Sequence, residues 1–108
     1  ESKPNGCRGC KFVNGMWSYA TKKPMPVYPR LARATGLGGD VHIEMHVSKS
    51  GTVIKTRRIS GADELYASAE KAVRRWRYQP RMIGLEAVEV IGSVTFHFDA
   101  RTGKVTGS

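Results

Sequence analysis

The stretch that decides the fold reads Asp40-Val41-His42-Ile43-Glu44-Met45-His46-Val47-Ser48. Apolar and polar side chains alternate along it, and successive side chains of a β-strand point to opposite faces of a sheet. The pattern therefore predicts a strand over residues 40–48 with one buried face and one face in water. The buried face is expected to hold Val41, Ile43, Met45 and Val47.

The segments on either side of this strand add two strands and two helices. Residues 52–59 are rich in β-branched side chains and follow a Gly-containing turn, which predicts a β-hairpin. A second alternating stretch predicts a third strand over residues 88–98. One short helix is expected to begin at Pro29, and an amphipathic helix is expected to run from Asp63, its N-cap, to Trp76.

The connections between these elements set the order of the sheet. A right-handed crossover through the amphipathic helix makes the second and third strands parallel. The hairpin makes the first strand antiparallel to the second, so the simplest sheet places the first strand between the other two. We therefore predict an α+β fold with a three-stranded, mostly antiparallel sheet of order 2-1-3 and two helices on one face. In this order the third strand lies at an edge.

The two ends of the chain lack these patterns. Residues 1–23 are predicted to be a flexible or extended lead-in, with one short strand over residues 16–20. Residues 24–99 form the predicted domain, and residues 100–108 are predicted to be a frayed tail.

Cys7 and Cys10, the two cysteines of the chain, form a Cys-x-x-Cys motif within the lead-in. A local disulfide, free thiols, and a metal or redox site are the alternatives, and the disulfide suits an oxidising compartment. A zinc site would need two further ligands at a suitable spacing. Because the motif precedes the predicted domain, we expect both cysteines to be dispensable for stability.

The composition is strongly basic, with 18 Lys and Arg against 9 Asp and Glu and a net charge of +9. Such a surface is either simply solvated or faces an anionic partner such as nucleic acid, anionic lipid or an acidic protein. No serine-protease triad, phosphate-binding loop or nucleotide motif appears, so no catalytic residue and no cofactor are predicted. No apolar run reaches the about 20 residues of a membrane helix, and any anchor is expected to lie outside this sequence.

Two further residue groups have alternative interpretations. His42, Glu44 and His46 share the polar face of the first strand, with His97 expected on the strand beside it. Because polar sheet faces commonly carry such residues, no metal site is predicted. Trp76 is in phase with the apolar side of its helix, which favours a core position over stacking on bases or sugars.

Five short motifs follow one another across residues 24–98. They are Tyr28-Pro29-x-x-Ala32, Gly39-x-Val41-x-Ile43, Gly51-x-Val53, Ala72-Val73-Arg74-x-Trp76-Arg77-Tyr78-x-Pro80 and Val94-x-Phe96-x-Phe98. At this spacing they resemble the C-terminal domains of TonB-type energy transducers. The chain departs from that family before Tyr28, where Gln is frequent, and at Thr56, Arg57 and Arg58, where apolar residues are usual.

The resemblance implies a periplasmic domain tethered to an inner-membrane helix, which sits with a proton-driven motor complex. It implies binding of the TonB box, a short extended segment of outer-membrane transporters, and transmission of force for uptake of siderophores or similar cargo. In the family the box pairs with the last strand, and residues just before Tyr-Pro also contact the transporter. The partner-binding residues expected on this basis are Met25, Val27, Tyr28, Glu89, Val90, Ile91, Gly92, Ser93, Val94, Thr95 and Phe96.

Elementary chemistry supports this interpretation, because an edge strand offers unpaired N–H and C=O groups to an extended peptide. Two other classes of protein stay open: a TolA-like or other TonB-like peptide-binding module of the cell envelope, and a basic nucleic-acid-binding domain. The last lacks an aromatic-rich strand motif, so no nucleic acid is expected as a partner. A strand-exchanged homodimer also stays open.

Overall fold

A computed structural model describes residues 9–108. The strands are β1 (Lys11–Phe12), β2 (Ala20–Lys22), β3 (Gly39–Val47), β4 (Val53–Ser60), β5 (Arg77–Tyr78), β6 (Arg81–Ile83), β7 (Glu86–Val88), β8 (Val90–Asp99) and β9 (Lys104–Gly107). The helices are α1 (Met16–Tyr19), α2 (Arg30–Ala34) and α3 (Asp63–Val73). The chain therefore has the predicted α+β character.

Strand β3 lies inside the main sheet, between β8 and β4, and is antiparallel to both. Strand β4 forms one end of this sheet. The predicted three-stranded sheet is too small, because β1 pairs with β8 in parallel and β9 pairs with β8 antiparallel. Two small sheets, β2–β5 and β6–β7, lie beside the main one and were not predicted.

The core lies between one face of the main sheet and α3. The apolar residues of β3 are buried as the alternation predicts, and Val94, Phe96 and Phe98 of β8 lie with them. Helix α3 presents an apolar stripe because its small and branched residues recur at helical spacing. The residues that it buries are Leu65, Ala69, Ala72 and Val73.

The N-cap of helix α3 lies one residue before the predicted position. Ala62 occupies the N-cap, and Asp63 and Glu64 lie in the first turn, where acidic groups suit the positive end of the helix dipole. Arg58 of β4 forms an ion pair with Asp63 across this junction. Across residues 9–108, none of the helices combines the length and the apolar character that crossing a membrane requires.

Both ends of the described chain are more ordered than predicted. Residues 104–107 of the expected frayed tail form β9. The predicted strand over residues 16–20 is wrong, because Met16–Tyr19 is helical and follows Gly15, whose φ is 76°. This left-handed residue turns the chain so that Met16 packs on β8, where a Cβ added to Gly92 would lie 2.2 Å from Met16 Cγ.

The sheet face opposite α3 is less exposed than the alternation predicts. Glu44, His46 and Ile91 are buried on it. Cys10, which is disulfide-bonded, packs against Ile91 and lies 3.5 Å from His46 through its Sγ atom. The bonded state agrees with the disulfide alternative, while Cys7 lies outside the described residues. Cys10 is thus part of a packed surface and not of a flexible segment.

Trp76 lies in the middle of an aromatic cluster. It is fully buried, with ring centroids of Trp17 at 5.4 Å and Phe96 at 5.8 Å in edge-to-face geometry. Its Nε1–H donates to the carbonyl oxygen of Pro24 at 3.0 Å, which joins Pro24 to the segment that follows α3. The predicted core position is confirmed.

Truncating this ring should destabilise the whole domain. Trp76→Ala is expected to lower the free energy of unfolding by about 3–5 kcal/mol, since it removes a fully buried ring and leaves a cavity. Urea unfolding followed by circular dichroism measures the change. Trp76→Phe, which keeps an aromatic ring, should lose less. An Ala variant with unchanged unfolding energy would contradict the core assignment.

Gly51 is required by a close approach of two backbones. Its φ is 91°, and an added Cβ would lie 1.9 Å from the carbonyl oxygen of Tyr78. The Tyr78 N–H donates to the Gly51 carbonyl at 2.8 Å, so the turn after β3 is joined to β5. Burial also raises the pKa of the Tyr78 phenol, whose O–H donates to the Met16 carbonyl at 2.9 Å.

Two glycine substitutions distinguish the steric cost of the contact with Tyr78 from the cost of backbone strain. Gly84 has φ 62° with nothing within 4 Å of an added Cβ, so Gly84→Ala should cost only the about 1–2 kcal/mol of a left-handed residue. Gly51→Ala should cost at least about 1 kcal/mol more, because the β5 backbone must move. Paired denaturant melts test the difference, and equal costs would rule out the steric explanation.

Candidate partner-binding edge

The outer side of β8 carries the predicted docking site, and the chain itself covers much of it. At one end, Lys11 N–H donates to the Glu89 carbonyl and Val13 N–H to the Ile91 carbonyl, each at 2.9 Å. At the other end, β9 pairs with Phe96–Asp99, and Ser108 and Thr95 exchange two backbone hydrogen bonds of 2.9 Å. Within residues 9–108, no strand pairs with Gly92–Val94 on this side. The expectation of an open edge is corrected accordingly.

The turn before β9 is built by the side chain of Asp99. Its Oδ1 accepts the Arg101 N–H at 3.0 Å, and this hydrogen bond is the main cause that lowers the pKa of Asp99. Gly103 follows with φ 74°, and its N–H donates to the Asp99 carbonyl at 2.7 Å. The chain thereby reverses within a few residues and returns along β8.

Strand β9 is also held from one side by Trp17. A Cβ added to Gly107 would lie 2.2 Å from the Trp17 ring, so only glycine allows this approach. The Trp17 ring in turn packs edge-to-face on Phe96 with centroids 5.8 Å apart. Strand β9 is therefore linked to the core through the Trp17 ring.

The predicted docking residues of β8 differ in exposure. Val90, Ile91, Val94 and Phe96 are buried, Ser93 is exposed, and Glu89, Gly92 and Thr95 are half-buried. The Thr95 hydroxyl lies 3.0 Å from His42 Nδ1 on the neighbouring strand. A partner that approaches this edge would thus meet the backbone and a few polar side chains, while the apolar ones are buried on one or the other face of the sheet.

The second predicted segment, Met25–Tyr28, lies partly away from this edge. Tyr28 packs edge-to-face on Phe98 of β8, with centroids 5.3 Å apart. Met25 and Val27 instead line a groove of about 560 Å³ against α3, and the Ser68 hydroxyl donates to the Val27 carbonyl. The structure therefore joins Tyr28 to β8 but gives Met25 and Val27 a surface of their own.

The charged residues of the α3 groove and those of the sheet face opposite α3 are arranged differently. The α3 groove ends in two cations, Lys71 and Arg75, with Glu64 at its other side. On the sheet, the Arg57 guanidinium binds Glu44 through Nε at 3.0 Å and Nη2 at 3.3 Å. This hydrogen bond with Glu44 raises the pKa of Arg57. Arg57, at a position where the family usually has an apolar residue, thus neutralises the buried carboxylate of Glu44.

The sequence interpretation missed the segments that cover β8, namely residues 10–13 and 104–108. Phe12 and Val13 are an isolated apolar pair, too short for a periodicity to show. The alternation of Lys104, Val105 and Thr106 is a weak strand signal that could have been used.

Comparison with known proteins assigns the family. The model of the family described as Gram-negative bacterial TonB protein C-terminal matches residues 24–100. The chain belongs to the TonB C-terminal family. The matched residues include Tyr28, α3, β3, β4 and β8, which carry the motifs noted in the sequence.

Two similar proteins are from Pseudomonas aeruginosa and Vibrio cholerae. The chain is 38% identical over 77 residues to protein tonB2 of Pseudomonas aeruginosa, covering 69% of this chain and 28% of that protein. It is 35% identical over 60 residues to TonB of Vibrio cholerae, covering 54% of this chain and 25% of that protein. The chain thus spans only a quarter or slightly more of these relatives.

A solved structure has the same fold. The solution NMR structure of the Pseudomonas aeruginosa TonB C-terminal domain superposes with a TM-score of 0.65 at 24% identity. The similarity covers 82% of this chain and 91% of that one.

The contact between Gly107 and Trp17 allows β9 to be loosened without truncation. Gly107→Val should separate β9 from β8, because the added side chain collides with the Trp17 ring. We expect faster hydrogen exchange of the Thr95 amide, by at least about tenfold for each 1.4 kcal/mol lost. Thr106→Val, at an exposed position of the same strand, is the matched control and should leave exchange unchanged. Equal exchange in both variants would show that this contact does not hold β9.

Proposed function

We propose that this domain is the periplasmic part of a TonB-type energy transducer, which binds the TonB box of outer-membrane transporters by strand addition to β8. It then passes on force for active uptake and catalyses no reaction. The full-length protein would be anchored in the inner membrane and reach the proton-driven motor complex through its N-terminal part. Family membership and the two TonB relatives support this class of function.

The observation that carries the proposal is the way in which β8 is covered. Strand β1 has only two residues, and β9 has four. Each backbone hydrogen bond contributes only about 0.5–1.5 kcal/mol net, so either segment can be displaced at moderate cost. An extended peptide of six or seven residues could form one continuous ladder where two short ones now lie.

The TonB box would compete with β1 and Ser108, because all of them pair with the same side of β8. A TonB box paired with Glu89–Phe96 would take the place of β1 at Val90 and Ile91, and of Ser108 at Thr95. Because the bonds at both ends of the ladder replace existing ones, and only those along Gly92–Val94 are additional, net affinity should be weak, in the micromolar range. Weak binding suits a domain that must release one transporter before it engages another.

Main-chain pairing also explains how one domain could serve several transporters. The apolar side chains of β8 are buried, Ile91 against Cys10 and the others in the core, so the box would be recognised through backbone groups with small contributions from Ser93 and Thr95. Met25 and Val27, exposed beside α3, would form a second contact with the transporter outside the ladder.

Titration of the ¹⁵N-labelled domain with TonB-box peptides tests the proposal. Amide shifts are expected along Glu89–Phe96, at β1 and β9 as they are displaced, and at Met25–Tyr28, while the middle of α3 stays unchanged. A peptide with a central proline should not bind, since it lacks a ladder donor. Gly107→Val should bind the peptide more tightly than Thr106→Val does, because β9 no longer competes.

Two results would overturn the proposal. Shifts confined to the Arg-rich end of α3 and lost in moderate salt would indicate a basic surface for polyanions. Equal peptide affinity in Gly107→Val and Thr106→Val, after faster exchange in the former has been shown, would exclude strand addition at the β9 end.

A further inference from the structure

Three side chains with metal-binding atoms converge on the sheet face opposite α3. They are Cys10, just before β1, His46 on β3, and Glu89 between β7 and β8. Cys10 Sγ lies 3.5 Å from His46 Nε2 and 3.7 Å from Glu89 Oε1, and His46 Nε2 lies within hydrogen-bonding distance of Glu89 Oε1, at 2.8 Å. Cys10 and His46 are buried, while the Glu89 side chain is 34% exposed.

These separations suit a tetrahedral metal ion. Zn²⁺ binds S at about 2.3 Å and N or O at about 2.0–2.2 Å, which places tetrahedral ligand atoms roughly 3.3–3.6 Å apart. The two distances from sulfur already fall near this range. Only the pair His46 and Glu89 would have to separate, by roughly half an ångström, and the half-buried Glu89 side chain would make that movement.

We propose that Cys10, His46 and Glu89 bind Zn²⁺ when Cys10 is a thiol. Sulfur together with imidazole nitrogen selects Zn²⁺ over Mg²⁺ and Ca²⁺, which prefer oxygen ligands. A thiolate and a carboxylate balance the two positive charges of the ion, so a neutral centre forms at this largely buried position. Water fills the fourth position on the exposed side of Glu89.

The disulfide of Cys10 and the zinc site exclude each other. Conversion needs a dithiol reductant, which gives two electrons and two protons to the disulfide, yielding two protein thiols and the reductant's own disulfide. Zn²⁺ then displaces the proton of the Cys10 thiol, and that proton goes to solvent. In the imidazole tautomer that binds the metal the proton is on Nδ1, so a proton on His46 Nε2 passes to Nδ1 through solvent. Bonds from Zn²⁺ to Nε2 and to the Glu89 carboxylate then replace the contact between His46 and Glu89.

Cys7→Ser allows a direct test, since it leaves Cys10 as a thiol without added dithiol. The untagged variant should bind one Zn²⁺ in calorimetry, and Co²⁺ should give the near-ultraviolet charge-transfer band of a thiolate ligand. Adding Cys10→Ser or Glu89→Gln to Cys7→Ser should weaken binding at least about a hundredfold, and Cys10→Ser should abolish the band. Circular dichroism confirms that each variant is folded.

His97→Gln in the Cys7→Ser background is the matched control. His97 also contacts a carboxylate, Asp40, at 2.6 Å on the same sheet, but both are exposed and far from sulfur. Its removal should leave Zn²⁺ affinity unchanged. The oxidised wild-type domain should bind at least a hundredfold more weakly than Cys7→Ser, and reduction with a dithiol should restore binding.

Three outcomes would overturn the zinc site. The first is equal affinity of Cys7→Ser with and without Cys10→Ser. The second is a loss of affinity in the His97→Gln control as large as in the Glu89→Gln variant. The third is binding by the oxidised wild type as tight as that of Cys7→Ser.

Discussion

The pairing of β3 with a strand on each side is the constraint on which the rest of the structure depends. Its register with β8 runs without a shift from Gly39 opposite Phe98 to Val47 opposite Val90. A slip by one residue would turn every apolar side chain of β3 towards water, so the register is strongly specified. Because β8 is fixed in this way, Phe96 lies against Trp76, and the aromatic cluster then positions Trp17, α1 and, through Gly107, β9.

The part of the fold that follows from local patterns was predictable. The alternation in β3 and the apolar stripe of α3 each repeat often enough to identify the element and its buried face. The resemblance identified the family because its motifs lie in those same elements. The α+β class and the core position of Trp76 could thus be predicted from the sequence alone.

The rest depends on contacts between residues far apart in sequence. The coverage of β8 by β1 and β9 could not be predicted, since two- and four-residue strands carry little periodic signal. The burial of His46 and Glu44 depends on Cys10 and Arg57, which approach from other segments. Alternation gives the face on which a side chain lies, but it does not tell what else covers that face.

Strand β4 has a consequence for self-association. As the end of the main sheet, it offers backbone groups that could pair with a second molecule, which is a common route to aggregation. It carries Lys55, Arg57 and Arg58, all exposed, along most of its length. Arg57 and Arg58 are held by ion pairs with Glu44 and Asp63 of their own chain, and a second strand that paired here would have to disturb these contacts. Charged side chains at this position, two of which depart from the family pattern, thus act against edge-to-edge pairing.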